Sequence, residues 1–119
     1  MALTNEFDRL YLAVRGDLPP GLAAAQAVHA AFQFASQHPS ITGTWLRDSQ
    51  YVVIISVPDE VGLIGLASRA LAAGIQVSTW AEPDMGGQKT AVALEPGLIA
   101  RRLCANYSLH GRAPLAVAV

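Results

Sequence analysis

Two polar side chains on one predicted helix, Gln26 and His29, are the residues of this chain best placed to do chemistry. They lie three positions apart and therefore share a helix face, together with Leu22 and Gln33. An amide both donates and accepts hydrogen bonds, and an imidazole can also carry a proton during a reaction. The spacing therefore predicts a helix with a mostly polar face that could contact a ligand.

The segment that positions this face reads as a strand, a tight turn and a helix. Residues 10–14 form an apolar, β-prone run, and a polar turn follows at 15–17. Pro19 or Pro20 opens the helix, which extends to about Gln37. A second helix stripe carries only small side chains, which allow close packing on a sheet: Ala24, Ala27, Ala31 and Ala35. In open α/β sheets ligands bind at the carboxyl ends of strands, so the polar face is expected there.

The rest of the chain continues to alternate between strand and helix patterns. His38-Pro39 stops the first helix, and Asp59 is a suitable N-cap for a later one that ends before Gly74. The further predicted elements are a mixed connection at 41–50, strands at 51–57, 75–81 and 89–94, a loop at 82–89 and a helical piece at 98–107. This order predicts a single α/β domain, residues 1–119, with a mixed four-stranded sheet and helices on both faces.

Composition indicates a globular protein. Of its 119 residues 52% are apolar and 14% charged, and no apolar run is long enough for a membrane span. The first residues lack a signal-peptide pattern, and Cys104 is the one cysteine, so we expect a cytoplasmic protein without an internal disulfide. The net charge is −1, which disfavours tight binding to a phosphate backbone unless Arg69, Arg101, Arg102 and Arg112 cluster on folding.

The order and spacing of these motifs resemble a known enzyme family. Val14-Arg15-Gly16-Asp17-Leu18, followed by Gly21-Leu22-Ala23-Ala24-Ala25-Gln26-Ala27-Val28-His29-Ala30, is similar to the V-R-x-D-L and G-K-x-x-A-Q-x-x-H-A motifs of the second, archaeal and eukaryotic type of peptidyl-tRNA hydrolase. Val57-Pro58-Asp59-Glu60 with Leu63-Ile64 is similar to that family's second strand–helix junction. The resemblance covers about residues 10–97 and departs at Leu22, where the family has a lysine.

The resemblance implies hydrolysis of the ester between a peptide and the terminal ribose of tRNA. Glu82 then stands where the family has an aspartate, and Thr90 in Gly87-Gln88-Lys89-Thr90 matches the threonine of a G-S-x-T motif. By this resemblance Glu82 would orient or deprotonate the water, and Gln26 and Thr90 would hydrogen-bond the carbonyl or ribose. His29 would be a polar support or proton carrier. The Lys89 ammonium would replace the cation missing at Leu22, so Lys89→Ala is expected to abolish hydrolysis.

The resemblance also assigns substrate contacts to four residues near the turn and loop: Arg15, Asp17, Asp84 and Gln88. It implies no cofactor, no metal and no membrane partner, peptidyl-tRNA as the partner, and a homodimer to which the apolar residues 115–119 could contribute. No metal-ligand spacing or phosphate-binding glycine loop is present.

Each candidate also has a purely structural interpretation. His29 can be a hydrogen-bonded structural histidine, Gln26 can satisfy a backbone group, and Lys89 can be a solubilising charge at a strand edge. Glu82 and Asp84 can be solvated loop carboxylates. Two functions therefore stay open: an esterase of the peptidyl-tRNA hydrolase type, and a catalytically degenerate relative that serves as a binding or oligomeric interaction module.

Overall fold

The computed structural model of the protein describes residues 8–111. Arg112 and the apolar residues 115–119, which carried the expectations of a basic cluster and a dimer contact, lie outside this part of the chain.

A four-stranded mixed sheet forms the centre of the fold. Its strands are β1 (Leu10–Arg15), β2 (Val52–Val57), β3 (Val77–Glu82) and β4 (Gln88–Leu94), in the spatial order β2-β1-β4-β3. β1 is parallel to β2 and antiparallel to β4, and β4 is antiparallel to β3. This arrangement confirms the predicted α/β fold with a mixed sheet.

Helices cover both faces of the sheet, as predicted, and residues 8–111 contain four of them rather than the three expected. α1 (Pro20–Gln37) and α2 (Pro39–Asp48) pack on one face, and α3 (Glu60–Ala72) and α4 (Leu98–Cys104) pack on the other. Alternation along β1 divides its side chains between the two cores: Leu10, Leu12 and Val14 face α1, and Tyr11 and Ala13 face α3. No helix within residues 8–111 combines the length and apolar character that crossing a membrane requires.

The helix α2 replaces the mixed connection expected at 41–50. Its sequence, PSITGTWLRD, has no regular apolar stripe, but Ile41 and Trp45 lie four positions apart and both pack on the α1 core. The Trp45 indole Nε1–H also donates to the Tyr51 carbonyl at 2.9 Å. Tertiary packing thus stabilises a helix that its local sequence does not predict.

The buried stripe of α1 is shifted by one residue from the expected one. Ala23, Ala27, Ala30 and Phe34 face the sheet, whereas Ala24 is exposed. The small side chains still allow close contact with the sheet, since α1 packs mainly over β3 and β4. The shift also buries Gln26, which was expected on the polar face.

A short segment after α4 covers part of the outer edge of β2. Leu109 pairs with Ile55 in an antiparallel bridge, the Ser56 N–H donates to the Ser108 carbonyl, and the His110 N–H donates to the Ile54 carbonyl. Pairing at this place removes unsatisfied backbone groups from an otherwise open strand edge.

Candidate functional site

The predicted site residues lie at one end of the sheet. β1, β2 and β3 all end there, β4 begins there, and α1 and α3 begin there as well. The β3–β4 connection is a single 3₁₀ turn, Pro83–Met85, followed by Gly86 and Gly87. Both glycines have positive φ angles, 65° and 83°, which side chains with a Cβ rarely adopt. This tight turn places Glu82 and Gln88 at adjoining strand ends.

Gln26 and Thr90 form a buried pair between α1 and β4. The Thr90 hydroxyl donates to the Gln26 Oε1 at 2.7 Å, and the two residues are 0% and 1% exposed, respectively. A β-bulge produces this contact: Trp80 pairs with Ala91 and Ala81 pairs with Lys89, so that Thr90 is the extra residue on β4. The polar pair is therefore shielded from solvent, and it can affect a bound ligand only through the residues that surround it.

Glu82 lies beside this pair at the end of β3, and its carboxylate is held from several sides. Its Oε2 accepts the Asp84 backbone N–H at 3.1 Å, and its Oε1 lies 3.5 Å from the Trp80 Nε1–H. The hydrogen bond from the Asp84 N–H, assisted by bonds from Gln26 and Trp80, lowers the pKa of Glu82, although burial opposes this shift. Glu82 is therefore an ionised group at neutral pH.

His29 is the exposed member of the group. Its ring stacks on the Trp80 indole, with centroids 4.7 Å apart and planes 16° from parallel. Its Nε2 lies 3.9 Å from the Glu82 Oε1, a separation that allows an ion pair with a protonated imidazole but is too long for a hydrogen bond. The His29 side chain is 47% exposed, whereas that of Glu82 is 9% exposed. The imidazole is thus the outermost polar group.

These residues together form the His29–Glu82 site, which comprises Gln26, His29, Trp80, Glu82 and Thr90. The sequence predicted four of its five members to lie together. Trp80 was interpreted only as a residue suited to a pleated strand, although its position two residues before Glu82 places both side chains on one strand face.

The other candidates form a separate Arg15 network, which comprises Arg15, Asp17, Glu60, Gln88 and Lys89. The Arg15 guanidinium holds the Asp17 carboxylate with two bonds of 2.9 Å, and its Nη1 donates to the Gln88 Oε1 at 2.7 Å and the Lys89 carbonyl at 3.4 Å. The bonds with Asp17 raise the pKa of Arg15 and lower that of Asp17. Four contacts occupy most of the five N–H donors of the guanidinium.

Lys89 joins this network through its backbone rather than through its ammonium. Its N–H donates to the Glu60 Oε2 at 2.7 Å, which ties the start of β4 to the first turn of α3. Between residues 8 and 111 the Lys89 ammonium forms no ion pair, and Leu22, in the first turn of α1, is partly exposed. Asp84 and Gln88 are both exposed near the glycine turn. No group of three or more potential metal-ligating side chains occurs within the described residues.

A comparison with solved structures finds a protein that shares this fold. A protein of unknown function from Agrobacterium tumefaciens strain C58 superposes with a TM-score of 0.65 and 16% sequence identity, over 88% of this chain and 99% of that one. A comparison with curated proteins found no match.

Comparison with protein families shows the relationship that the motifs suggested. The family described as peptidyl-tRNA hydrolase PTH2 matches residues 9–101, which contain every member of the His29–Glu82 site and of the Arg15 network. The match spans most of the chain and includes all four strands and the first three helices. This chain belongs to the peptidyl-tRNA hydrolase PTH2 family.

Proposed function

We propose that this chain hydrolyses the ester between a peptide and the terminal ribose of tRNA at the His29–Glu82 site. The observation that carries the proposal is the half-exposed His29 imidazole beside a carboxylate that stays ionised. An accessible imidazole that can take a proton, with a fixed carboxylate beside it, is an arrangement suited to general base catalysis.

In the proposed reaction His29 takes a proton from water as the water oxygen attacks the ester carbonyl carbon. The bond from that carbon to the ribose oxygen then breaks, and the ribose oxygen receives the proton from His29. Glu82 orients the imidazole and stabilises its positive charge. Because its pKa is lowered, Glu82 is a weak base, which favours this orienting role over direct deprotonation of water.

Gln26 and Thr90 act as positioning residues in this proposal. Both are buried, and the bond between them fixes the Gln26 amide beside Glu82.

The ammonium of Lys89 supplies positive charge to the developing oxyanion in place of the family lysine. Lys89→Ala is expected to abolish hydrolysis, and Arg101→Ala, which removes an exposed cation from α4, is the matched control. Unchanged turnover in Lys89→Ala removes Lys89 from the mechanism.

We assign contacts with the terminal nucleotide to the exposed Asp84 and Gln88. Arg15 and Asp17 support them, since Arg15 holds the Gln88 side chain.

We also propose that the chain acts in the cytoplasm, where this substrate is made, as a homodimer. Sedimentation showing a monomer at high concentration contradicts the dimer.

A turnover assay with labelled peptidyl-tRNA tests the proposed activity. We expect the wild-type protein to release free peptide, and His29→Ala to lower kcat by about 10²–10⁴-fold, the usual contribution of a general base. His38→Ala removes the histidine after the last turn of α1, outside the site, and is expected to retain the wild-type rate.

The second candidate function is binding of the same substrate without turnover. Leu22 in place of the family lysine favours it, because a cation is missing from the first turn of α1. Retention of peptidyl-tRNA by the wild type with no peptide release supports this alternative over hydrolysis. Release by Leu22→Lys alone shows that the rest of the site is competent.

A further inference from the structure

The outer edge of β3 carries main-chain groups that no residue between 8 and 111 pairs with. β3 stands at one end of the strand order, and its one partner strand among the described residues is β4. The opposite edge of the sheet, at β2, is instead covered in part by residues 108–110. β3 also contains no proline or lysine, the residues that commonly block pairing at an edge. The edge is therefore a template for a further strand.

The register with β4 determines which main-chain groups of β3 face solvent. The Glu95 N–H donates to the Gln76 carbonyl just before β3, and the Gly87 N–H donates to the Glu82 carbonyl at its end, both at 2.9 Å. Because the direction of these groups alternates along an antiparallel ladder, the even-numbered residues of β3 point their N–H and C=O groups at β4. The odd-numbered residues, which are all partly exposed, point theirs outward: Val77, Thr79 and Ala81.

This edge leads directly to the His29–Glu82 site. Glu82 is the last residue of β3, and Trp80, on which His29 stacks, lies two residues before it. The six residues of β3 extend over about 20 Å at the rise of a β-strand. An extended chain that follows the edge therefore reaches the reacting groups at the Glu82 end.

Side chains of α1 lie over β3 and can add hydrogen bonds. The Gln37 Oε1 accepts the Ser78 hydroxyl at 2.6 Å, and His29 stacks on Trp80. Gln33 lies one helical turn from both Gln37 and His29, so it lies over the same strand. Its Oε1 is buried without a hydrogen-bond partner among the described residues. A side chain in that state can gain a donor from a bound molecule.

We propose that the peptide part of the substrate binds as an added strand along the outer edge of β3. This inference rests on the proposed function, which supplies the identity of the ligand. Main-chain hydrogen bonds hold an extended peptide whatever its side chains are, which suits a substrate defined only as a peptide ester. The ester is at the C-terminus of the peptide and must lie near Glu82. The peptide therefore runs parallel to β3, with its N-terminal part toward Val77.

Parallel pairing predicts the individual hydrogen bonds. In a parallel ladder a residue of the added strand donates to one β3 carbonyl and accepts from a β3 N–H two residues further on. The carbonyls of Val77 and Thr79 then accept from the peptide, and the N–H groups of Thr79 and Ala81 donate to it. Every second amide of the peptide faces β3, and the amides between them face solvent.

A stable analogue of the substrate terminus tests the proposal without turnover. The probe is fluorescein-labelled penta-alanine joined to 3′-amino-3′-deoxyadenosine, so that an amide replaces the ester. Saturating probe should slow the amide hydrogen exchange of Thr79 and Ala81, read by NMR, at least about tenfold. The N–H groups of Ser78 and Trp80 already pair with β4, and their exchange is the internal control that should change less than about twofold.

Thr79→Pro removes an outward N–H without breaking the ladder to β4, and an edge strand tolerates proline at such a position. We expect fluorescence anisotropy to show that this variant binds the probe at least about tenfold more weakly than the wild type. Thr79→Val keeps the N–H and is the control. Probes that are N-methylated at a single alanine give the same test in the unaltered protein, since methylation should weaken binding at every second position only.

Five results overturn the proposal. They are no binding of the probe by the wild type, equal binding by Thr79→Pro and the wild type, equal effects of N-methylation at adjacent alanines, slow exchange of Thr79 and Ala81 in the free protein at low concentration, and slowing that follows protein concentration rather than probe. The last of these assigns the edge to a second copy of the chain.

The exchange measurement also separates this inference from the proposed hydrolysis. Protection of Thr79 and Ala81 by the probe, with no release of peptide from labelled peptidyl-tRNA, supports the edge site and contradicts the hydrolysis. Release of peptide without protection of these two amides supports the hydrolysis and overturns the edge site.

Discussion

At the scale of single residues, the site depends on how an exposed imidazole is held. His29 stacks on Trp80 rather than forming a hydrogen bond, and Trp80 in turn lies within 3.5 Å of the Glu82 carboxylate. Behind them the Gln26–Thr90 bond connects α1 to the bulge of β4. In the proposed reaction, the orientation of the imidazole therefore depends on its neighbours Trp80 and Glu82.

Thr90→Val tests the buried pair. The substitution keeps the side-chain shape but leaves the Gln26 Oε1 buried without a donor, so we expect unfolding to become easier by about 1–3 kcal/mol. Urea denaturation measures this change. Thr44→Val is the control, because the Thr44 hydroxyl forms a similar bond to the Ser40 carbonyl on the exposed side of α2. Equal losses in both variants contradict an energetic role for burial of the pair.

At the scale of elements, the N-terminus of α3 supports the Arg15 network. The Asp59 Oδ1 accepts the Gly62 N–H at 2.9 Å and caps the helix. One residue later, Glu60 accepts the Lys89 N–H, so the first turn of α3 is joined to β4. A stable start of α3 is therefore needed to hold the strand that carries Thr90.

Asp59→Ala should remove about 1 kcal/mol from the free energy of unfolding, since an N-cap aspartate satisfies a helix N–H that alanine leaves without a partner. Thermal or urea unfolding measures the loss. Asp48→Ala removes a carboxylate from the last turn of α2, where negative charge is unfavourable to the helix dipole, and should not destabilise the protein. A similar loss in both variants contradicts the capping argument.

The elements differ in how far their sequences predict them. β1, β2 and α1 have strong local signals, namely apolar runs and a proline at the helix start, and they lie where those signals indicate. The strand expected at 75–81 starts later, at Val77, and the helical piece expected to reach Tyr107 ends at Cys104. α2 was missed, because only Ile41 and Trp45 anchor it and their partners are distant in sequence.

At the scale of the whole molecule, the fold joins segments far apart in the chain. Gln26 and Thr90 are 64 residues apart, and Arg15 and Gln88 are 73 apart. Motif resemblance could nominate these residues, but the contact between Gln26 and Thr90 lies at a β-bulge that the local sequence does not predict. The separation of the candidates into two networks likewise follows from strand order and pairing, which the spacing of residues does not reveal.

The ionisation of Glu82 makes the stability of the molecule depend on pH. Because its pKa is lowered on folding, its stabilising contribution is complete above its ordinary value of 4.5 and is lost as the pH falls through the lower folded value. We therefore expect Glu82→Gln to unfold with a weaker dependence on pH than the wild type below about pH 4.5. Urea midpoints across this range measure the effect, and Asp84→Asn, which keeps the backbone N–H that Glu82 accepts, is the control. Parallel pH profiles for Glu82→Gln and the wild type contradict the assigned shift.

The rate of peptide release from labelled peptidyl-tRNA by Glu82→Gln, measured at pH 7 with enzyme in excess and compared with the wild type, tests the central claim most directly. Glutamine keeps the size of the side chain but removes the carboxylate charge that lies 3.9 Å from the His29 Nε2. The account predicts measurable release by the wild type and a rate at least about 100-fold lower in Glu82→Gln, within the range of general base catalysis. A wild type that releases no peptide, or a Glu82→Gln variant that releases it at the wild-type rate, contradicts the account.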